Sequence, residues 1–87
     1  MVYKILIHPK AKIFLDKLDQ RIKERVKNKL KELEKSPDRI GKHLKHSTFW
    51  SLGVGDYRVI YEIEQKEVII LFIGHRKNVY DDFSKLF

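Results

Sequence analysis

The side chains best suited to holding a phosphate or moving a proton gather in residues 55 to 80, GDYRVIYEIEQKEVIILFIGHRKNVY. They are Arg58, His75, Arg76, Lys77 and Tyr80. A guanidinium stays charged at neutral pH and matches two phosphate oxygens at once. A histidine, with an ordinary pKa of about 6.5, can give or take a proton in the same range. A phenol, ordinarily near pKa ~10, needs neighbouring cations to act as a base at pH 7, and Arg58, Arg76 and Lys77 can supply them. Each residue also has a plainer reading. Arg58 can pair with Glu62 or Glu64, and a single histidine after a strand is commonly structural. Tyr80, Phe83 and Phe87, at i, i+3 and i+7, fit the buried stripe of a last helix better than a reactive group.

A second set of cations lies earlier in the chain. Lys42, His43, Lys45 and His46 suit a loop that grips phosphate. Its two histidines are three positions apart, but no carboxylate or cysteine completes a metal site beside them, so neither a metal nor another cofactor is expected. Lys23, Lys27 and Lys31 belong to a strongly basic helix. Residues 1 to 46 carry 14 Lys and Arg against 6 Asp and Glu, net +8, whereas residues 47 to 87 carry 5 against 6, net −1. That polarity suits a polyanion such as nucleic acid, a ribosome, an anionic membrane or an acidic protein. A solvated helix face is the plainer alternative, and RNA binding would differ from it by weakening steeply with salt.

These groups need a scaffold, and 87 residues, 43% apolar and 36% charged, provide one small globular domain spanning 1–87. With no cysteine, packing or a partner must hold it together. No apolar run approaches the ~20 residues that cross a bilayer. The start, MVYKILIHPK, lacks the apolar core of a leader peptide. A cytoplasmic protein with no membrane partner is expected.

The elements follow from periodicity. Residues 2 to 8 read as a strand that stops at Pro9. Ala11, Phe14, Leu15 and Leu18 mark one face of a short helix. Asp19 can cap a second helix, in which Ile22, Val26, Leu30 and Leu33 form a narrow apolar stripe and Ser36-Pro37 the end. Residues 37 to 47 read as a loop. TFWSLGV is a half-buried strand, with Gly55-Asp56 a two-residue hairpin turn after it. The next strand alternates Tyr57, Val59, Tyr61 and Ile63 with Arg58, Ile60, Glu62 and Glu64, and Gln65-Lys66 turns it back. Residues 68 to 73, VIILFI, are apolar throughout and suit an interior strand covered on both faces. After Gly74, Asn78 starts a last helix with Asp81 and Asp82 in its first turn. The expected fold is α+β in the order β-α-α-β-β-β-α, a helical hairpin packed on one face of a mainly antiparallel four-stranded sheet. The hairpin belongs on the face of Tyr57, Val59 and Tyr61, leaving the Arg58 face less covered.

DYRVIYEI followed by IGHRKNVY, on this order of elements, resembles the RelE/ParE toxin superfamily, most of all its RelE branch. The resemblance spans nearly the whole chain and includes the helix end Glu34, Lys35, Ser36 and Pro37. It implies the toxin of a type II toxin–antitoxin system, which enters the ribosomal A site and cleaves mRNA there, inhibiting translation. Its partners would be the ribosome, mRNA and an acidic RelB-like antitoxin, in a heterotetramer or larger complex. Arg58 matches the family's strand arginine near the scissile phosphate, Arg76 the cation after the last strand, and Tyr80 the tyrosine of the final segment. Attack by the RNA's own 2′-hydroxyl needs a group to take its proton, cations for the phosphorane charge and an acid for the leaving oxygen, and no metal. His75 is the proton carrier suggested by intrinsic chemistry. Phe49, Ser51 and Gly53 stand where RelE-type members carry strand cations, so Lys42, His43, Lys45 and His46 would have to substitute or activity would fall. A gyrase-blocking ParE-like toxin, or a degenerate homologue that only binds ribosome or antitoxin, are the alternatives.

Overall fold

The computed structural model describes residues 2–86. The chain order is β1 (Lys4–Ile7), α1 (Pro9–Lys17), α2 (Gln20–Leu33), α3 (Pro37–Ile40), β2 (Lys42–His43), β3 (Phe49–Val54), β4 (Tyr57–Glu64), β5 (Glu67–His75) and α4 (Val79–Leu86). Helix starts follow local chemistry. His8 Nδ1 accepts from the Lys10 N–H at 3.1 Å, with Pro9 in the first turn of α1. Asp19 caps α2, its Oδ1 accepting from the Ile22 N–H at 3.1 Å. The end of α2 is tied to the start of β1 by the Tyr3 N–H, which donates to the Glu34 carbonyl at 2.7 Å.

The sheet has five strands, in the order β1-β5-β4-β3-β2. The four-stranded expectation is therefore short by one, because residues 37 to 47 are not all loop. Pro37 opens the short turn α3, and Lys42 and His43 pair with Ser51 and Trp50. A two-residue strand carries no readable alternation, yet it covers the outer edge of β3. β3, β4 and β5 are antiparallel, and β1 runs parallel to the first half of β5, from Lys4 opposite Glu67 to Ile7 opposite Ile70. Beyond Ile70, α1 takes over beside β5, with Phe14 edge-on to Phe72 at 4.7 Å. Both hairpin turns are the predicted two-residue ones. The first position of each has a positive φ, +59° at Gly55 and +53° at Gln65.

A bulge decides how the apolar run of β5 is shared. Ile60 faces Phe72 while Tyr61 faces Ile70, so Leu71 is the extra residue. As a result Val68, Ile70 and Ile73 join the core beneath α1 and α2, whereas Leu71 and Phe72 both enter a smaller core beneath α4. The larger core also takes Ala11, Leu15, Val26, Leu30, Leu33, Leu52, Val59 and Tyr61. Each of its larger aliphatic side chains contributes about 1.5–3 kcal/mol on burial. The smaller holds Ile60, Val79 and Phe83 besides. Tyr61 locks α3 onto the larger core, its hydroxyl donating to the Pro37 carbonyl at 2.6 Å. A Cβ on Gly41 would collide with that hydroxyl, so the close approach requires glycine.

Candidate functional site

Arg58 lies on the α4 face of β4, between Gly53 on β3 and Gly74 on β5. Directly opposed residues on neighbouring strands share a sheet face, so glycines flank the arginine on both sides. At Gly53, which is exposed, a Cβ would meet only the Arg58 guanidinium, 3.6 Å away at the nearest atom. The guanidinium thus rests over bare backbone. The proposed pairing with Glu62 or Glu64 does not occur: among the described residues Arg58 forms no ion pair, and Glu62 accepts from the Thr48 hydroxyl at 2.6 Å.

Gly74 has a different use. A Cβ there would come within 3.2 Å of Phe72 and Val79, so its absence lets α4 begin close to the sheet. Val79 and Phe83, one helical turn apart, are the buried residues of α4. The stripe of Tyr80, Phe83 and Phe87 expected from spacing is corrected here: Tyr80 is 43% exposed, and Phe87 lies outside the described residues. The Tyr80 hydroxyl instead reaches the Ser51 hydroxyl at 3.0 Å. Ser51 is one same-face position from Gly53, about 7 Å along the strand. Arg58 and Tyr80 therefore flank one small patch, an always-charged cation beside a phenol. Ser51 was legible only as a missing cation; the better signal was a polar residue at an inward-facing strand position, which needs a buried partner.

The remaining residues distribute around this patch. Lys42 pairs with Ser51 and shares its face, at the outer edge. His43 pairs with Trp50 instead, its ring 4.9 Å from the indole and its Nε2 2.7 Å from the Ser47 carbonyl oxygen. Lys45 and His46 are exposed in the turn before β3, where His46 has φ +58°. Arg76 is held at the β3–β4 turn: its N–H donates to the Asp56 carbonyl at 2.8 Å, and its Nε is 3.8 Å from Asp56 Oδ1. His75 pairs with Tyr57 and so faces away from Arg58; its ring is 5.6 Å from that of Tyr57, and its Nδ1 accepts from the Lys77 N–H at 3.2 Å. Lys77 itself is exposed. Lys23, Lys27 and Lys31 ride on α2, against the opposite face of the sheet. A cation not singled out from sequence, Arg25, extends from α2 over Gly55, 3.1 Å from where a Cβ would stand. With Arg76 it brackets the β3–β4 turn. Among the described residues no group of three His, Cys, Asp or Glu is placed to hold a metal ion, and no helix is long and apolar enough to cross a membrane.

Residues 5–80 match the family model described as the ParE toxin of type II toxin–antitoxin systems, parDE. The chain belongs to the RelE/ParE superfamily of toxins. Solved structures of this superfamily superpose on it. The toxin–antitoxin complex RelBE2 of Mycobacterium tuberculosis matches at 31% identity and a TM-score of 0.81, covering 87% of this chain and 100% of that one. The archaeal RelE–RelB complex of Pyrococcus horikoshii OT3 gives 26% identity and 0.73, covering 87% and 97%. The isolated RelE toxin of E. coli gives 25% and 0.74, covering 97% of each chain. No curated protein matches the chain. The RelE-like fold expected from the motifs is thus the fold of this protein, with five strands where four were expected.

Proposed function

We propose that this toxin is an endoribonuclease that cleaves mRNA in the ribosomal A site and is neutralised by an acidic, RelB-like antitoxin. The observation that carries this reading is the placement of Arg58, free of any ion pair among the described residues, beside the Tyr80–Ser51 hydroxyl pair on the more open face of the sheet. Arg58 would hold the scissile phosphate and offset the charge of the phosphorane. Tyr80 would exchange a proton with the 2′-hydroxyl or the leaving 5′-oxygen. Lys42 at the near edge, Arg76 and Lys77 beyond β5, and His43, Lys45 and His46 in the preceding segment would hold flanking phosphates. Lys23, Lys27 and Lys31 would contact ribosomal RNA from the other side of the molecule, through phosphates and with a steep salt dependence. His75 faces Tyr57, so any catalytic part for it would run through the turn it caps. The solved toxin–antitoxin complexes among its relatives support an antitoxin partner; a heterotetramer or larger assembly belongs to the same reading, and a cytoplasmic site of action follows from a ribosomal target.

A second reading, block of DNA gyrase without RNA cleavage, is favoured by the ParE description of the matching family model and by Phe49, Ser51 and Gly53 in place of strand cations. Inducing the toxin alone and mapping mRNA 5′ ends separates the two. Codon-phased cuts that vanish in Arg58→Ala support the endonuclease; DNA damage without cuts supports gyrase; growth arrest with neither points to a homologue that only binds.

A further inference from the structure

We propose that Ser51 is the positioning residue for Tyr80, an inference that rests on the endonuclease reading and deepens it. Ser51 is 1% exposed in the middle of β3, so its hydroxyl is cut off from bulk water and requires a partner within the protein. Tyr80 is that partner, at 3.0 Å, and among the described residues neither hydroxyl makes another hydrogen bond. The two ends of this bond are unequal. Ser51 is fixed by the strand ladder on both sides, opposite Lys42 and Ile60. Tyr80 stands 43% exposed on the first turn of α4, where a phenol is free to change rotamer unless its tip is held. The buried serine therefore sets where the phenol sits relative to Arg58.

The choice of hydroxyl matters chemically. A serine hydroxyl both donates and accepts. When Ser51 donates, the Tyr80 proton is free to go to a leaving 5′-oxygen. The same donated bond holds the phenolate form of Tyr80, which takes the proton of the 2′-hydroxyl and, once neutral, passes it to that leaving oxygen. One ring position thus serves both halves of a proton exchange, and Ser51 Oγ holds it in each.

Purified toxin acting on ribosomes programmed with a defined mRNA tests this with Ser51→Ala, Tyr80→Phe and the double variant. Ser51→Ala is expected to lower kcat about 10-fold to 100-fold, the cost of a misplaced reacting group, with KM unchanged. Added to Tyr80→Phe it should change the rate no further, because no hydroxyl remains to be positioned. Losses that multiply, or a wild-type rate for Ser51→Ala, would overturn the role. A second readout is independent of cleavage: in tyrosine-labelled protein, three-bond NMR couplings should report one Tyr80 χ1 rotamer in the wild type and averaging in Ser51→Ala. A single rotamer in both would also overturn it. Wild-type toxin that leaves ribosome-bound mRNA intact would sink the endonuclease reading instead, and the couplings would still decide whether Ser51 positions Tyr80.

Discussion

The two faces of this sheet are covered very differently. On one, α1 and α2 lay down a continuous apolar surface over Val59, Tyr61, Ile70 and their neighbours, and the charge of α2 is turned outward. On the other, an eight-residue helix packs on Ile60, Leu71, Phe72 and Phe49 and reaches Ser51 through Tyr80, while Gly53 and Arg58 lie beyond it. The first face makes the protein stable; the second leaves room for a ligand. A small domain has too little surface to build both well on one face, and here the division follows the strand alternation of β4, residue by residue.

If that division holds, substitutions should sort by face. The largest effect is expected from Arg58→Ala, a loss of about 10²–10³-fold in mRNA cleavage by analogy with removal of one charge-stabilising donor. Its unfolding free energy, from urea titration, should stay within about 0.5 kcal/mol of wild type, as for surface changes. The mirror experiment is Leu30→Ala, on the buried stripe of α2. Chemical unfolding should show a loss of about 2–5 kcal/mol, while the cleavage rate per folded molecule is unchanged. A stability loss from Arg58→Ala, or a specific rate loss from Leu30→Ala, would break the contrast.

A smaller effect, on the stabilising face, is pH-dependent. Burial, together with the charge of Asp38, raises the Tyr61 pKa from 10.0 to about 12. The folded state then holds the phenolic proton more tightly than the unfolded chain does. The stability this gives is fully present below pH ~10 and is lost as pH rises toward ~12. Tyr61→Phe should cost about 1 kcal/mol at pH 7 by removing the bond to the Pro37 carbonyl, and its unfolding free energy should fall less than the wild type's over that alkaline window. The smallest effect belongs to the turn. Asp56→Ala breaks the 3.8 Å contact with Arg76, both side chains being well exposed. Its stability cost should be below about 1 kcal/mol and should shrink further in high salt.

Much of this arrangement was legible in the residues themselves. Pro9 at the start of α1, the cap at Asp19, the two tight turns and the opposed faces of β4 are local signals, and local signals survive into the fold. The apolar run of residues 68 to 73 announced an interior strand, but not the bulge at Leu71, because nothing in a uniformly apolar run marks where alternation slips. β2 was hidden for a similar reason: two residues carry no period. Tyr80 fits a buried stripe by spacing yet stands exposed, because i, i+3 spacing cannot tell which side of a short helix meets the sheet. That was decided by Gly74 and Val79, which set how closely α4 approaches. The Ser51–Tyr80 bond joins positions 29 apart and could only be read from the folded chain.

The decisive measurement is single-turnover cleavage of a defined mRNA on programmed ribosomes by the purified wild-type toxin and by Arg58→Ala, each checked for folding by its melting curve. Codon-specific cleavage by the wild type, reduced at least about 100-fold in a fully folded Arg58→Ala variant, is the predicted result. Equal cleavage by the two, or none by either, would contradict the assignment of the Arg58–Tyr80 patch as the site of RNA cleavage.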